Sequence, residues 1–187
     1  GRRSTVAGYK GTNTGAVFSP SGNNIAMVLS SSGSPEVYVA GAEGQDPRPI
    51  TKGTSRSVES DPDWSPDGQQ LVLTSDQLGG PQLFVVSARG GSSPSRLPTN
   101  ISSYCTEPAW NPVASKNNIA FTASTRGGQQ IAIYDLKSRS SNFLTSGPGS
   151  FSQPRWLSDG RHLIATQSRT GSSTLWVIDT ETGKTTK

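Results

Sequence analysis

The chain has 187 residues, a net charge of +4 and only 30% hydrophobic residues, with 21 Gly and 13 Pro among abundant Ser and Thr. That composition excludes a long coiled coil, and no apolar run approaches the roughly 18 residues a membrane helix needs. The weak net charge argues against disorder, and the scattered Lys and Arg form no patch of the kind nucleic acid requires. Cys105 and His162 each stand alone, so neither a disulfide framework nor a Cys/His metal cluster is expected. The chain begins with Gly without a signal-peptide pattern, which reads as a piece of a longer precursor.

Taken in order, the elements repeat. Phe18-Ser-Pro-Ser-Gly, Trp64-Ser-Pro-Asp-Gly, Trp110-Asn-Pro and Trp156-Leu-Ser-Asp-Gly recur at an interval of 46 residues. Each aromatic closes a short first strand. The turn after it suits a type I geometry, because Pro presets φ at the second position and Gly accepts the exit conformation. Second strands follow at the apolar runs 25–29, 71–73, 119–121 and 163–165. Polar Gly- and Ser-rich loops then lead to third strands at 37–39, 83–86, 131–134 and 175–178. Weaker outer strands are expected at 48–51, 95–97 and 142–145. In the third copy the turn 111–117 is two residues longer, an insertion that a hairpin tolerates.

Four strands in a period of about 46 residues predict an all-β fold: a β-propeller of four blades, forming a single domain over residues 1–187. A four-stranded sheet buries neither face alone, so a large ring at the same point of every blade fills the gap to its neighbour. Phe18, Trp64, Trp110 and Trp156 are assigned that packing role. Residues 1–8 align with 47–54, an outer strand and its exit. The N-terminal segment is therefore expected to complete the last blade, unless the chain was cut at a blade boundary. Open blade edges also offer a route to self-association.

The lead Asp/Glu-Pro-x-Trp, the Ser-Pro-Asp-Gly turn, the Leu-Val-Leu-Thr-Ser strand and Gly-Gly-Pro-Gln-Leu-Phe-Val-Val at 79–86 resemble the propeller repeat of the TolB family. That family belongs to the periplasmic part of the Tol–Pal envelope system. The resemblance covers all four repeats and implies a piece of a six-bladed template. It implies a non-catalytic docking protein in the periplasm, with the peptidoglycan-associated lipoprotein and other Tol proteins as partners. The lipoprotein contact implied by the family uses loops entering the first strands. In this chain those positions are Thr12, Asn13, Thr14 and Gly15; Val58, Glu59, Ser60 and Asp61; Tyr104, Thr106 and Glu107; and Ser152 and Gln153. The bottom-up reading agrees on the surface, since loops entering first strands and loops between second and third strands share one face of a propeller. Ser60, Thr106 and Ser152 could equally satisfy backbone groups as local turn residues.

Rival readings are weaker. TolB-like propellers in lyases need several histidines and acids on a metal, and one histidine does not supply them. His162, after Asp159-Gly160-Arg161 in a hairpin turn, reads as structural, and Asp135 and Asp179 read as turn residues after third strands. No Gly-x-Ser-x-Gly nucleophile motif precedes a helix. A gating propeller of a peptidase, separated from its catalytic domain, stays open. No cofactor, metal, nucleic acid or membrane insertion is expected.

Overall fold

The computed structural model describes residues 5–52 and 57–187. Their regular structure is four antiparallel sheets of four strands each, and the helical part is a single 3-10 turn at Ala114–Lys116. The all-β, four-bladed expectation holds. The chain gathers into two compact units, Gly1–Leu97 and Pro98–Lys187, each with two sheets.

In the first unit, strands β1 (Asn13–Phe18), β2 (Asn24–Leu29), β3 (Glu36–Gly41) and β4 (Arg48–Pro49) form one sheet. Strands β5 (Glu59–Trp64), β6 (Gln70–Ser75), β7 (Gln82–Ser87) and β8 (Ser95–Arg96) form the other. The second strands bury nearly every residue because both faces meet apolar neighbours. Ala26, Val28, Val37, Val39 and Ile50 from one sheet pack with Trp64, Leu71, Leu73, Phe84 and Val86 from the other. Trp64 donates its indole N–H to the Val17 carbonyl at 3.1 Å, so the ring both fills the gap and satisfies a backbone acceptor.

The second unit repeats this plan. Strands β9 (Cys105–Trp110), β10 (Asn118–Thr125), β11 (Gly128–Asp135) and β12 (Ser140–Phe143) form one sheet. Strands β13 (Ser150–Trp156), β14 (His162–Arg169), β15 (Ser172–Asp179) and β16 (Thr185–Thr186) form the other. Ala120, Ile131 and Ile133 face Trp156, Leu163, Ala165, Trp176 and Ile178, and Trp156 donates to the Ala109 carbonyl at 2.9 Å. The longer turn of the third copy folds as the 3-10 turn and leaves through Asn117 in the left-handed region. The Ser-Pro-Asp-Gly turn forms as expected: Gly68 N–H donates to the Ser65 carbonyl at 2.9 Å, and Gly68 takes φ +68°. Asp135 and Asp179 close β11 and β15 rather than sitting beyond them, and each caps the turn that follows by accepting two backbone N–H bonds through Oδ1.

Three expectations are corrected. Phe18 occupies the packing position but is 57% exposed, whereas Trp64 and Trp110 are buried at 5% and 8%. The fourth sheet takes its outer strand from the C-terminal residues that follow its third strand: Thr185 and Thr186 pair with Ile178 and Val177. Residues 1–4 of the segment expected there lie outside the described residues; of the rest, Val6 and Ala7 pack on the first sheet against Ile25, Met27, Leu29 and Ala40. Two of the outer strands are also shorter than the sequence suggests, with two residues each in β4 and β8, and the third runs over Ser140–Phe143 rather than 142–145.

Candidate functional site

Every first strand carries a bulge at the same place. Pairing slips between Thr14 and Val17, between Ser60 and Asp63, between Ala120 and Thr122 on the partner of β9, and between Ser152 and Arg155. The residue that opens each bulge takes positive φ: Gly15 (63°), Asp61 (52°), Glu107 (53°) and Gln153 (56°). Bulges of this kind bend the strand and re-aim the side chains beyond it. Three of the four positions hold Asp, Glu or Gln where Gly would be the unstrained choice, and Glu107 shows one reason. Its Oε2 accepts from the Thr122 hydroxyl and from the Gln153 N–H, both at 2.7 Å, so one carboxylate ties β9 to β10 and to the next sheet.

The loops entering the first strands are held to the ends of the second strands. Thr12 N–H donates to Ser30 Oγ at 2.7 Å, and Ser30 N–H returns to the Thr12 carbonyl. Val58 N–H donates to Asp76 Oδ1 at 2.7 Å. Ser124 N–H donates to the Tyr104 carbonyl at 3.0 Å, with the Ser102 hydroxyl bridging to the Ser124 carbonyl. In these three sheets the entry loop and the loop between second and third strands lie side by side, on the entry-loop face of each sheet.

The candidate residues on that face divide. Thr12, Asn13, Thr14 and Gly15 are exposed, and so are Val58 (47%) and Tyr104 (43%). Ser60, Asp61, Thr106, Glu107 and Ser152 are partly buried, and Gln153 is exposed. Only Thr12, Val58 and Tyr104 lie outside the first strands; Asn13, Thr14, Gly15, Glu59, Ser60, Asp61, Thr106, Glu107, Ser152 and Gln153 belong to the strands rather than to loops, because the bulge lets each strand start earlier than its apolar pattern shows. The Ser60 hydroxyl is engaged locally, with Asp61 Oδ2 at 2.8 Å.

Glu59 is a correction. It opens β5 at 1% exposure, in the position that Cys105 and Phe151 hold in the next two copies. Burial raises its carboxyl above the ordinary range, Glu36 and Asp76 push the same way, and the Thr51 hydroxyl and Val37 N–H oppose them. One of its oxygens, Oε2, is buried with no hydrogen-bond partner. It offers nothing to a partner at the surface.

Sequence reasoning missed Leu78. It sits in the turn Asp76–Gly79 beside Val58 and is 67% exposed, the largest exposure among the big apolar side chains. An apolar residue inside a Gln-Leu-Gly-Gly turn was the available signal. His162 stands apart from this face, with Nδ1 2.6 Å from Asp159 Oδ2. Backbone and ring hydrogen bonds from His162, with the Arg161 N–H, hold the Asp159 carboxyl down at about 2. Among the described residues no three His, Cys, Asp or Glu side chains gather in a way that would hold a metal ion. No helix there is long and apolar enough to cross a membrane.

The family model described as the TolB beta propeller domain matches residues 1–112. The chain belongs to that family. Among solved structures, TolB from Acinetobacter baumannii superimposes with a TM-score of 0.76 at 24% identity, covering 96% of this chain and 44% of that one. A putative TolB from Agrobacterium tumefaciens gives 0.77 at 20% identity, over 95% of this chain and 66% of that one. A puromycin-hydrolyzing peptidase of Mycobacterium tuberculosis gives 0.75 at 20% identity, over 99% of this chain and 30% of that one. At these identities the likeness is one of fold, and this TolB-family chain spans 44% and 66% of the two TolB chains. No curated protein matches it.

Proposed function

We propose that this chain is a non-catalytic docking piece of the Tol–Pal envelope system. It acts in the periplasm and receives the peptidoglycan-associated lipoprotein on the entry-loop ends of its sheets. One observation carries the reading: in each unit large apolar side chains stand exposed there, on loops held by hydrogen bonds. In the first unit these are Val58 and Leu78, and in the second Tyr104. Exposed apolar groups on rigid supports suit protein recognition, since little side-chain or loop entropy is lost on binding. The short polar side chains of Thr12, Asn13, Thr14 and Gln153 supply a hydrogen-bonding rim.

The test is a calorimetric titration of the chain against the lipoprotein. Binding is expected, and Val58→Asp, Leu78→Asp and Tyr104→Ala are each expected to weaken it about tenfold. Absence of binding, or binding that all three substitutions leave unchanged, overturns the partner. The overlap of 99% of this chain with the M. tuberculosis peptidase favours one rival, a propeller that gates access to a hydrolase. In that reading the same face would meet a catalytic domain, and the lipoprotein titration would be flat.

A further inference from the structure

Both units leave a gap beside the segment that leads from one sheet to the next. In the first unit it lies between Pro49, Ile50 and Lys52 on one side and residues 91–94 on the other, and measures about 170 Å³. In the second unit the matching gap measures about 310 Å³, between Leu144, Thr145 and Ser146 and the stretch that carries Gly183 and Thr185. Small-ligand sites begin at about 300 Å³, so only the second is large enough. Since the gap recurs in the first unit, where the chain runs on past it, it belongs to the junction between sheets.

Side chains make the difference in size. Phe84 stands two repeats before Trp176, at the same register in its sheet, and Ser75 stands two repeats before Gln167. Phe84 and Ser75 are buried at 2% and 0%, and neither lines the smaller gap. Trp176 is only partly buried, and with Phe151 and Pro148 it gives the larger cavity an apolar wall. The polar lining is rich in donors. The Trp176 indole N–H is shielded from solvent and meets no acceptor, whereas Trp64 and Trp156 give theirs to the Val17 and Ala109 carbonyls. Arg169 brings a guanidinium that, among the described residues, enters no ion pair. The Gln167 amide donates to the Pro148 carbonyl at 3.4 Å, and no Asp or Glu lines the cavity. An unpaired donor and a cation therefore share one cavity without an acid to answer them, and a charged acceptor is the group that best satisfies both.

We propose that this cavity binds a small organic carboxylate with an apolar body. The carboxylate takes the Trp176 N–H and the Arg169 guanidinium, and the body lies on Phe151, Pro148 and the indole. The apolar wall selects an organic acid over an inorganic anion, which would lose its water there without a partner. The site stands independently of the docking reading.

Titration of the chain with N-acetylphenylalanine, followed by N–H shifts in NMR and by calorimetry, tests this. For about 15 non-hydrogen atoms a dissociation constant of about 1 mM is expected, with the Trp176 indole N–H resonance moving on binding. N-acetylphenylalanine amide, which lacks the charge, should bind at least about tenfold more weakly. Trp176→Phe removes the donor and should weaken binding of the acid about tenfold. Arg169→Gln, at an exposed side chain, should weaken it about threefold. Both substitutions install the residues found two repeats earlier, Phe84 and Gln77, so the sheet is kept. The peptide Ala-Ala-Ala-Phe distinguishes the source of the carboxylate: tighter binding than the acid assigns a chain end, weaker binding a free acid, and either supports the site. Absence of binding by the acid up to about 20 mM overturns the proposal. So does an amide that binds as well as the acid, or an affinity that both substitutions leave unchanged.

Discussion

Glu59 offers the sharpest check on how the first unit is held together. Its carboxyl lies at 1% exposure between the two sheets, with Oε2 unpaired and Glu36 and Asp76 nearby. Burial, the largest influence, raises its pKa above the ordinary 4.5. The folded chain therefore keeps the proton at a pH where the unfolded chain has lost it. Stability from this group is fully present below about 4.5 and is lost as pH rises through the raised folded value. Glu59→Gln keeps an acceptor for the Thr51 hydroxyl and the Val37 N–H but never ionises. Each unit by which the carboxyl is raised is worth about 1.4 kcal/mol, and a buried unpaired polar atom costs about 1–3 kcal/mol. Between pH 4.5 and pH 7 the parent chain should therefore lose stability relative to the variant, by about 1.4 kcal/mol for each unit by which the carboxyl is raised. Urea unfolding of both proteins at several pH values measures the difference. Asp67, Asp135, Asp159, Asp179 and Glu181 are lowered in the folded state and give stability that is lost on acidification, but they are common to both chains and cancel. Parallel curves for the two proteins would refute the reasoning, since Glu59 would then ionise as freely folded as unfolded.

Two further perturbations probe the junctions. Trp64→Phe removes the indole donor to the Val17 carbonyl and part of the ring, and should cost about 1–2 kcal/mol in urea unfolding, with Trp156→Phe costing a similar amount. Gly160→Ala places a Cβ 2.6 Å from both Asn111 Oδ1 and Val113 Cγ2 at φ +64°. It should destabilise by about 2–3 kcal/mol, against about 1 kcal/mol for Gly183→Ala, which has φ +70° and open space around it. Equal melting shifts for the two glycine variants would contradict the clash.

Much of this architecture is legible in the residues alone. The 46-residue interval of the aromatics, the turn chemistry after each and the apolar second strands specify four-stranded sheets, because local propensity and periodicity agree at every copy. The entry-loop face follows as well, since strand order places it. Packing between sheets is a different matter. A repeat treats Phe18 and Trp64 as equivalents, yet one is exposed and the other buried. The alignment likewise treats Glu59 as a loop acid, and only its neighbours across the seam show it buried in the place of Cys105 and Phe151. The bulges at Asp61, Glu107 and Gln153 break the two-residue alternation on which strand reading rests, so the strands that carry them begin earlier than the pattern admits. Sequence determined what each sheet is, through contacts a few residues apart. Tertiary structure decided which surface of each sheet is covered, because that depends on groups about 46 residues away.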